Sequence, residues 1–295
     1  MHDAAYYIQL LLSGVTVGSL YALIAIGYTM VYGILRLINF AHGDIFMMAG
    51  FFMVYMSASM PLAVSIPLVL ILTTILGVVI EKAAYSPLRT APRMSVMISA
   101  IGVSYLLQNL ATYLTGGIAR AYRDIPFLTQ VMQMGSLSVK RITIITPILT
   151  IVLVVILVIL IQKTKIGMAM RAVSRDFETS QLMGIKINSV ISMTFAIGSF
   201  LAGVASILYF ANYGQVSPMI GAMPGLKAFV AAVFGGIGSI PGAVIGAFII
   251  GICESFIKSN ENIAVFSNAF TFALLIIILL CKPNGLFGEK LTEKV

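Results

Sequence analysis

Long apolar runs separated by short polar breaks organise the chain, and their lengths predict helices that cross a membrane. Runs at residues 8–35, 45–59, 62–80, 94–114, 142–161, 189–210, 243–256 and 265–280 carry almost no charge. A further interrupted stretch, 212–242, contains residues 222–235, which either cross fully or turn back. A helix needs roughly 20 apolar residues to span the hydrocarbon, so the pattern predicts about eight to nine spans. The run at 142–161 (ITIITPILTIVLVVILVILI) is apolar on every side, with no alternation of period two. Of the two structures that satisfy their backbone in lipid, this pattern selects helices over a barrel. The expected fold is all-α, a polytopic transmembrane bundle forming one domain over residues 1–295. The first run is too long for one straight span and is expected to tilt or break near its end. Met60 and Pro61 separate the second run from the third, and residues 81–93 and 115–141 read as hydrophilic connections.

Composition agrees and narrows the class. Apolar residues make up 60% of the 295 and charged residues 9%, against about 25% charged in soluble domains. The net charge of +8 does not call for nucleic acid, because basic residues retain loops on the cytoplasmic side of a membrane. An external N-terminus makes Arg36, Lys82, Arg89, Arg93, Lys163, Lys165, Arg171, Arg175, Lys186, Lys282, Lys290 and Lys294 cytoplasmic, twelve of eighteen basic residues. Arg120, Arg123, Lys140 and Arg141 then lie outside, against the trend. The C-terminus falls in the cytoplasm. Met1, His2 and Asp3 offer no basic leader, so the first helix is expected to be retained. Cys253 and Cys281 sit inside apolar runs, which argues against disulfides and metal-ligand spacing.

The most polar region, about 163–188, holds a candidate amphipathic helix bracketed by Gly167 and Gly184. At 100° per residue Met170, Val173 and Phe177 share one face with Ser180 and Gly184. Arg171, Arg175 and Glu178 share another, and Asp176 lies apart. Such a helix either rests on lipid headgroups or docks in a groove of a cytoplasmic partner.

Polar residues at membrane depth are costly and face protein or water. The candidates are Asn39, His42 and Asp44 after the first helix, Gln108 and Asn109 within the fourth, and Glu254. Asn39 and His42 either close a structural network at a helix break or line a solute pathway; Glu254 is placed to pair with Lys258 one turn on. Glycine-containing interruptions at 39–43 and 235–242 suggest an inverted internal repeat with broken or half-helices. Gly235, Gly238 and Gly242 are pathway or helix-break candidates, with Gly238, Gly242 and Gly246 at four-residue spacing. Pro241 places a turn or half-helix start among them.

Residues 18–33 (GSLYALIAIGYTMVYG), 38–44 (INFAHGD), 99–102 (SAIG), 167–185 and 225–242 (GLKAFVAAVFGGIGSIPG) resemble, in order, the motifs of branched-chain amino-acid ABC permeases of the LivH type. The likeness extends over nearly the whole chain; Thr179 and Ser180 depart from the more alanine-rich coupling helix of relatives. It implies an inner-membrane transport subunit without catalytic residues or a bound cofactor, moving a small amino acid by alternating access. The implied partners are two cytoplasmic ABC ATPase subunits, a second homologous membrane subunit and an extracytoplasmic substrate-binding protein, with no nucleic acid. The segment 163–188 is then the ATPase-coupling element. The sequence lacks the Gly-x-x-x-x-Gly-Lys-Ser/Thr phosphate loop, consistent with hydrolysis on another subunit. The alternatives are a permease for urea or a short amide and an ion-coupled secondary transporter. An intramembrane hydrolase is disfavoured because His42 has no nucleophile set around it.

Overall fold

The computed structural model describes residues 4–89, 91–134, 137–282 and 284–288. The expectations for Met1, His2, Asp3, Lys290 and Lys294 lie outside them. The helices are α1 (Ala4–Leu35), α2 (His42–Ser59), α3 (Leu62–Ile80), α4 (Arg93–Thr115), α5 (Pro126–Thr129) and α6 (Arg141–Lys163). They continue with α7 (Lys165–Arg175), α8 (Phe177–Leu182), α9 (Ile187–Tyr213), α10 (Ala222–Gly235), α11 (Ile240–Lys258) and α12 (Ser267–Cys281). Strands β1 (Arg120–Ala121) and β4 (Gln215–Val216) pair antiparallel, as do β2 (Val131–Met134) and β3 (Leu137–Lys140).

Among the described residues, seven helices are long and apolar enough to span a membrane, fewer than the eight to nine expected. The shortfall has two sources. α10 has 14 residues, roughly 21 Å at 1.5 Å per residue, too short to cross; it turns at 236–239 and returns as α11. α2 opens on His42, Gly43 and Asp44 and lies largely inside the bundle. A second difference concerns residues 81–93. α3 does not stop at the first charge but continues through a π turn, Glu81–Tyr85, and a 3-10 turn, Ser86–Leu88.

Helix directions follow from where backbones touch. Gly14 of α1 packs on Ile252 and Gly18 on Phe248, while Gly33 approaches Gly238, so α1 and α11 are antiparallel along their length. Gly77 of α3 meets Ser199, and Gly203 of α9 meets Leu70 and Thr73, so α3 and α9 are also antiparallel. Small residues at such crossings let backbones close in, which gains dispersion where lipid provides no hydrophobic drive. The order long helix, break, shorter helix, long helix occurs as α1–α2–α3 and again as α9–α10–α11. Corresponding members run in opposite directions, the arrangement of an inverted repeat. The sequence echo misplaced the second break: its counterpart to 36–41 is 214–221, whereas 236–239 is the hairpin between α10 and α11. Arg36 (φ 54°) and Met219 (φ 70°), the non-glycine residues with positive φ among those described, mark these two breaks, a conformation that costs energy and needs tertiary support.

The described end of the chain closes the bundle. The amides of Leu286 and Phe287 donate to the carbonyls of Phe234 and Gly235 at 3.0 and 2.9 Å, satisfying acceptors that the end of α10 would leave open.

Candidate functional site

The two breaks meet at the centre. Gly43, in the first turn of α2, lies against Gly221 and Gly225 at the start of α10. A Cβ on Gly43 would stand 2.6 Å from the Gly221 carbonyl oxygen and 3.1 Å from the Gly225 Cα. Two helix N-termini thus converge by direct backbone contact, which only residues without side chains permit. His42 is wedged between Gly27 of α1 and Gly198 of α9, with the Tyr28 ring edge-on at 4.9 Å between centroids. Its Nε2 is buried without a hydrogen-bond partner.

Around this centre the intramembrane polar groups form three tethers. Asp44 accepts from Ser104 and from Gln108 Nε2 at 3.0 Å, joining α2 to α4. Asn39 Oδ1 accepts from the Ala41 amide at 3.1 Å and from the Tyr85 hydroxyl at 2.6 Å, joining the first break to the π turn. Glu254 forms the expected pair with Lys258 at 2.6 Å, and it also receives Lys227 of α10 at 2.6 Å and the Tyr21 hydroxyl of α1 at 2.9 Å. Gln108 and Asn109, though adjacent, separate: Asn109 is exposed and donates to its own helix at the Tyr105 carbonyl.

Of the glycine candidates, Gly235 and Gly242 touch each other's carbonyls across the α10–α11 hairpin, and Gly246 packs on Ala231 and Gly235. Gly238 lies before α11 with φ 97° and open space about it. Ser239 caps α11, accepting from the Gly242 amide. These positions build the hairpin; the breaks meet elsewhere, at Gly43, Gly221 and Gly225.

The segment 163–188 is not one helix but two. Thr164 caps α7 through the Gly167 amide at 3.1 Å, and Gly167 lies against Leu160 and Ile161 where the chain folds back on α6. Met170 and Val173 are buried in the bundle, and Arg171 donates to the Ile161 carbonyl. α7 stops after Arg175 because Asp176 takes an extended conformation (φ −156°, ψ 117°) and caps α8 instead. Asp176 accepts from the Thr179 amide at 3.1 Å and its hydroxyl at 2.6 Å, so Thr179 completes this cap. Of the face expected to dock, Phe177 is left outward (37% exposed); Leu182 (88%) and Met183 (78%) are exposed at the end of α8, with Glu178 in its first turn, and α7 exposes Ile166 (45%) and Met168 (61%). Gly184 (φ 81°) ends the element.

Behind α8 lies a cleft of about 1050 Å³. Phe177, Gln181 and Ile185 line one side and Leu35, Tyr85, Arg89 and Val96 the other. At its inner edge the buried Glu81 accepts from Arg89 and, at 2.6 Å, from Ser192 of α9; Arg89 also donates to Asn188. Sequence reasoning missed this group and Lys227. Lys227 carried a readable signal, since a lysine inside the apolar stretch 222–235 demands a buried partner.

The family model for the branched-chain amino acid transport system / permease component matches residues 10–279. The chain belongs to that family. It is 39% identical to the high-affinity branched-chain amino acid transport system permease protein BraD of Pseudomonas aeruginosa, over 100% of both chains. It is equally similar, over 98% of both, to LivH of Escherichia coli K12. A more distant likeness, 27% identity, covers 92% of the chain and 84% of the ribose import permease protein RbsC of Haemophilus influenzae. As a permease of this family the chain is a multi-pass membrane protein, and its buried tethers are the groups such a bundle must satisfy in lipid.

Proposed function

We propose that this permease is the translocating subunit of an ATP-driven importer of branched-chain amino acids in the cytoplasmic membrane. The observation that carries the reading is the likeness to BraD and LivH over the full length of both chains. The likeness spans both chains end to end, whereas the urea or short-amide and ion-coupled alternatives have no comparable support. The N-terminus lies outside and the C-terminus inside. Arg36, Lys82, Lys163, Lys165, Arg171, Arg175 and Lys186 then gather at the inner face, as the positive-inside rule requires.

Hydrolysis falls to two cytoplasmic ATPases, a binding protein delivers substrate, and a second homologous membrane subunit completes the pathway. α8 is the coupling knob: Phe177, Leu182 and Met183 present an apolar end flanked by Arg175 and Glu178, which fits a groove on a motor subunit. The extended Asp176 hinge separates this knob from α7, which is anchored by Met170 and Val173. Alternating access then arises as α8 is pushed and the convergent starts of α2 and α10 re-orient.

Leu182→Asp together with Met183→Asp is expected to reduce co-purification of the ATPases at least tenfold, since desolvating a carboxylate opposes docking by a few kcal/mol, roughly. The folded yield should not change, because both side chains are exposed in the isolated chain. Wild-type recovery of the ATPases would remove α8 as the docking element.

A further inference from the structure

Movement of α8 has to reach the break before α2 if the pathway is to re-orient. We infer that Glu81, Arg89 and Tyr85 form a clasp that transmits it, binding the first turns of α9 to the start of α2. This deepens the reading above and rests on it.

The geometry begins at α8. The cleft between Phe177 and Gln181 on one side and Tyr85 and Arg89 on the other separates α8 from the end of α3. The continuous route is along the chain, through residues 183–186, into α9. There Asn188 and Ser192, one turn apart, are both held by the clasp: Arg89 donates to Asn188 Oδ1, and the Ser192 hydroxyl donates to Glu81 Oε2 at 2.6 Å. Glu81 is fully buried and Arg89 is its ion-pair partner. A buried carboxylate that loses its partner is left uncompensated, so this joint resists stretching, and α3 must follow α9. Four residues on, the Tyr85 hydroxyl donates to Asn39 Oδ1 at 2.6 Å, the same oxygen that accepts the Ala41 amide just before α2. Across the π turn Glu81 and Tyr85 stand one turn apart, and Tyr85 also packs on Phe195 of α9 at 5.2 Å between centroids, so the same turn reaches both α9 and the break. Ser99 of α4 donates to the Ala84 carbonyl at 3.0 Å and steadies the turn from the other side. The clasp residues position the break; none is asked to touch the solute.

Glu81→Ala would remove the ion pair and the Ser192 bond together and is an ambiguous probe. Tyr85→Phe and Asn188→Ala remove one hydrogen bond each at either end of the clasp and leave the ion pair in place. In vesicles holding the complete transporter, the readout is labelled leucine imported per ATP hydrolysed. Both variants are expected to lower that ratio roughly fivefold, the value of one hydrogen bond. ATPase co-purification should stay at wild-type yield and hydrolysis within about twofold of wild type. An unchanged ratio, or uptake and hydrolysis falling together, would overturn the clasp. If Leu182→Asp with Met183→Asp still releases the ATPases, only the clasp fails; if it does not, the coupling reading fails first.

Discussion

Gly43→Leu is expected to abolish transport and to destabilise the protein by about 3 kcal/mol or more, at the upper end of overpacking effects. The reason is that its neighbours are backbone. The new Cβ would meet the Gly221 carbonyl oxygen and the Gly225 Cα, and neither can rotate away as a side chain does. α2 and α10 would have to separate, and with them the point where the two breaks meet. Gly221→Leu should behave alike, since it faces the Gly43 carbonyl from the other side. Gly102→Ala is the control: it sits in α4 with nothing within 4 Å of its Cβ, and it should melt and transport as wild type. Thermal unfolding in detergent and vesicle uptake decide the matter together. Wild-type uptake by Gly43→Leu would show that the convergence of α2 and α10 is incidental.

The second large effect concerns the Lys227–Glu254 pair. Lys227→Ala should cost about 3–5 kcal/mol, the usual penalty for leaving a buried charge without its partner. Glu254 would keep Lys258, but that lysine is 51% exposed and reaches from the surface, so it replaces only part of the lost attraction. Lys227→Met combined with Glu254→Leu should recover part of the stability, because an apolar pair of similar volume avoids the desolvation of both charges while the Tyr21 hydroxyl loses its acceptor. Lys258 is then free to be solvated. The double variant melting above the Lys227→Ala single variant is the predicted order. Additive losses would mean that Lys227 and Glu254 act independently, contrary to this account.

The length of the apolar runs located most spans because lipid imposes one rule on every residue of a run. The limits of α3 at Leu62 and Ile80 were legible, since Met60 and Pro61 stop one helix and start the next. The π turn after Ile80 was not, because Glu81, Lys82 and Arg89 look like a solvated loop until Glu81 is seen to be buried against α9. The split at Asp176 had a local signal: aspartate is a favoured N-cap residue, with Glu178 following in the first turn of the helix it opens. It was masked by the amphipathic period continuing across it, which made Met170, Val173 and Phe177 look like one docking face. The structure divides them, two inward and one at the knob. The meeting of Gly43 with Gly221 lies beyond any local pattern, because it depends on how two halves some 180 residues apart are turned against each other. Spacing alone favoured Gly238 and Gly242, whose geometry proves to belong to a hairpin.

A permease that borrows its energy should move solute only when a nucleotide is spent. The most direct measurement follows labelled leucine into membrane vesicles carrying this chain with the companion subunits of its transport system. Uptake that persists when ion gradients are collapsed and stops when ATP is depleted is the predicted result. Uptake that survives ATP depletion, or that follows an imposed ion gradient, would contradict the account.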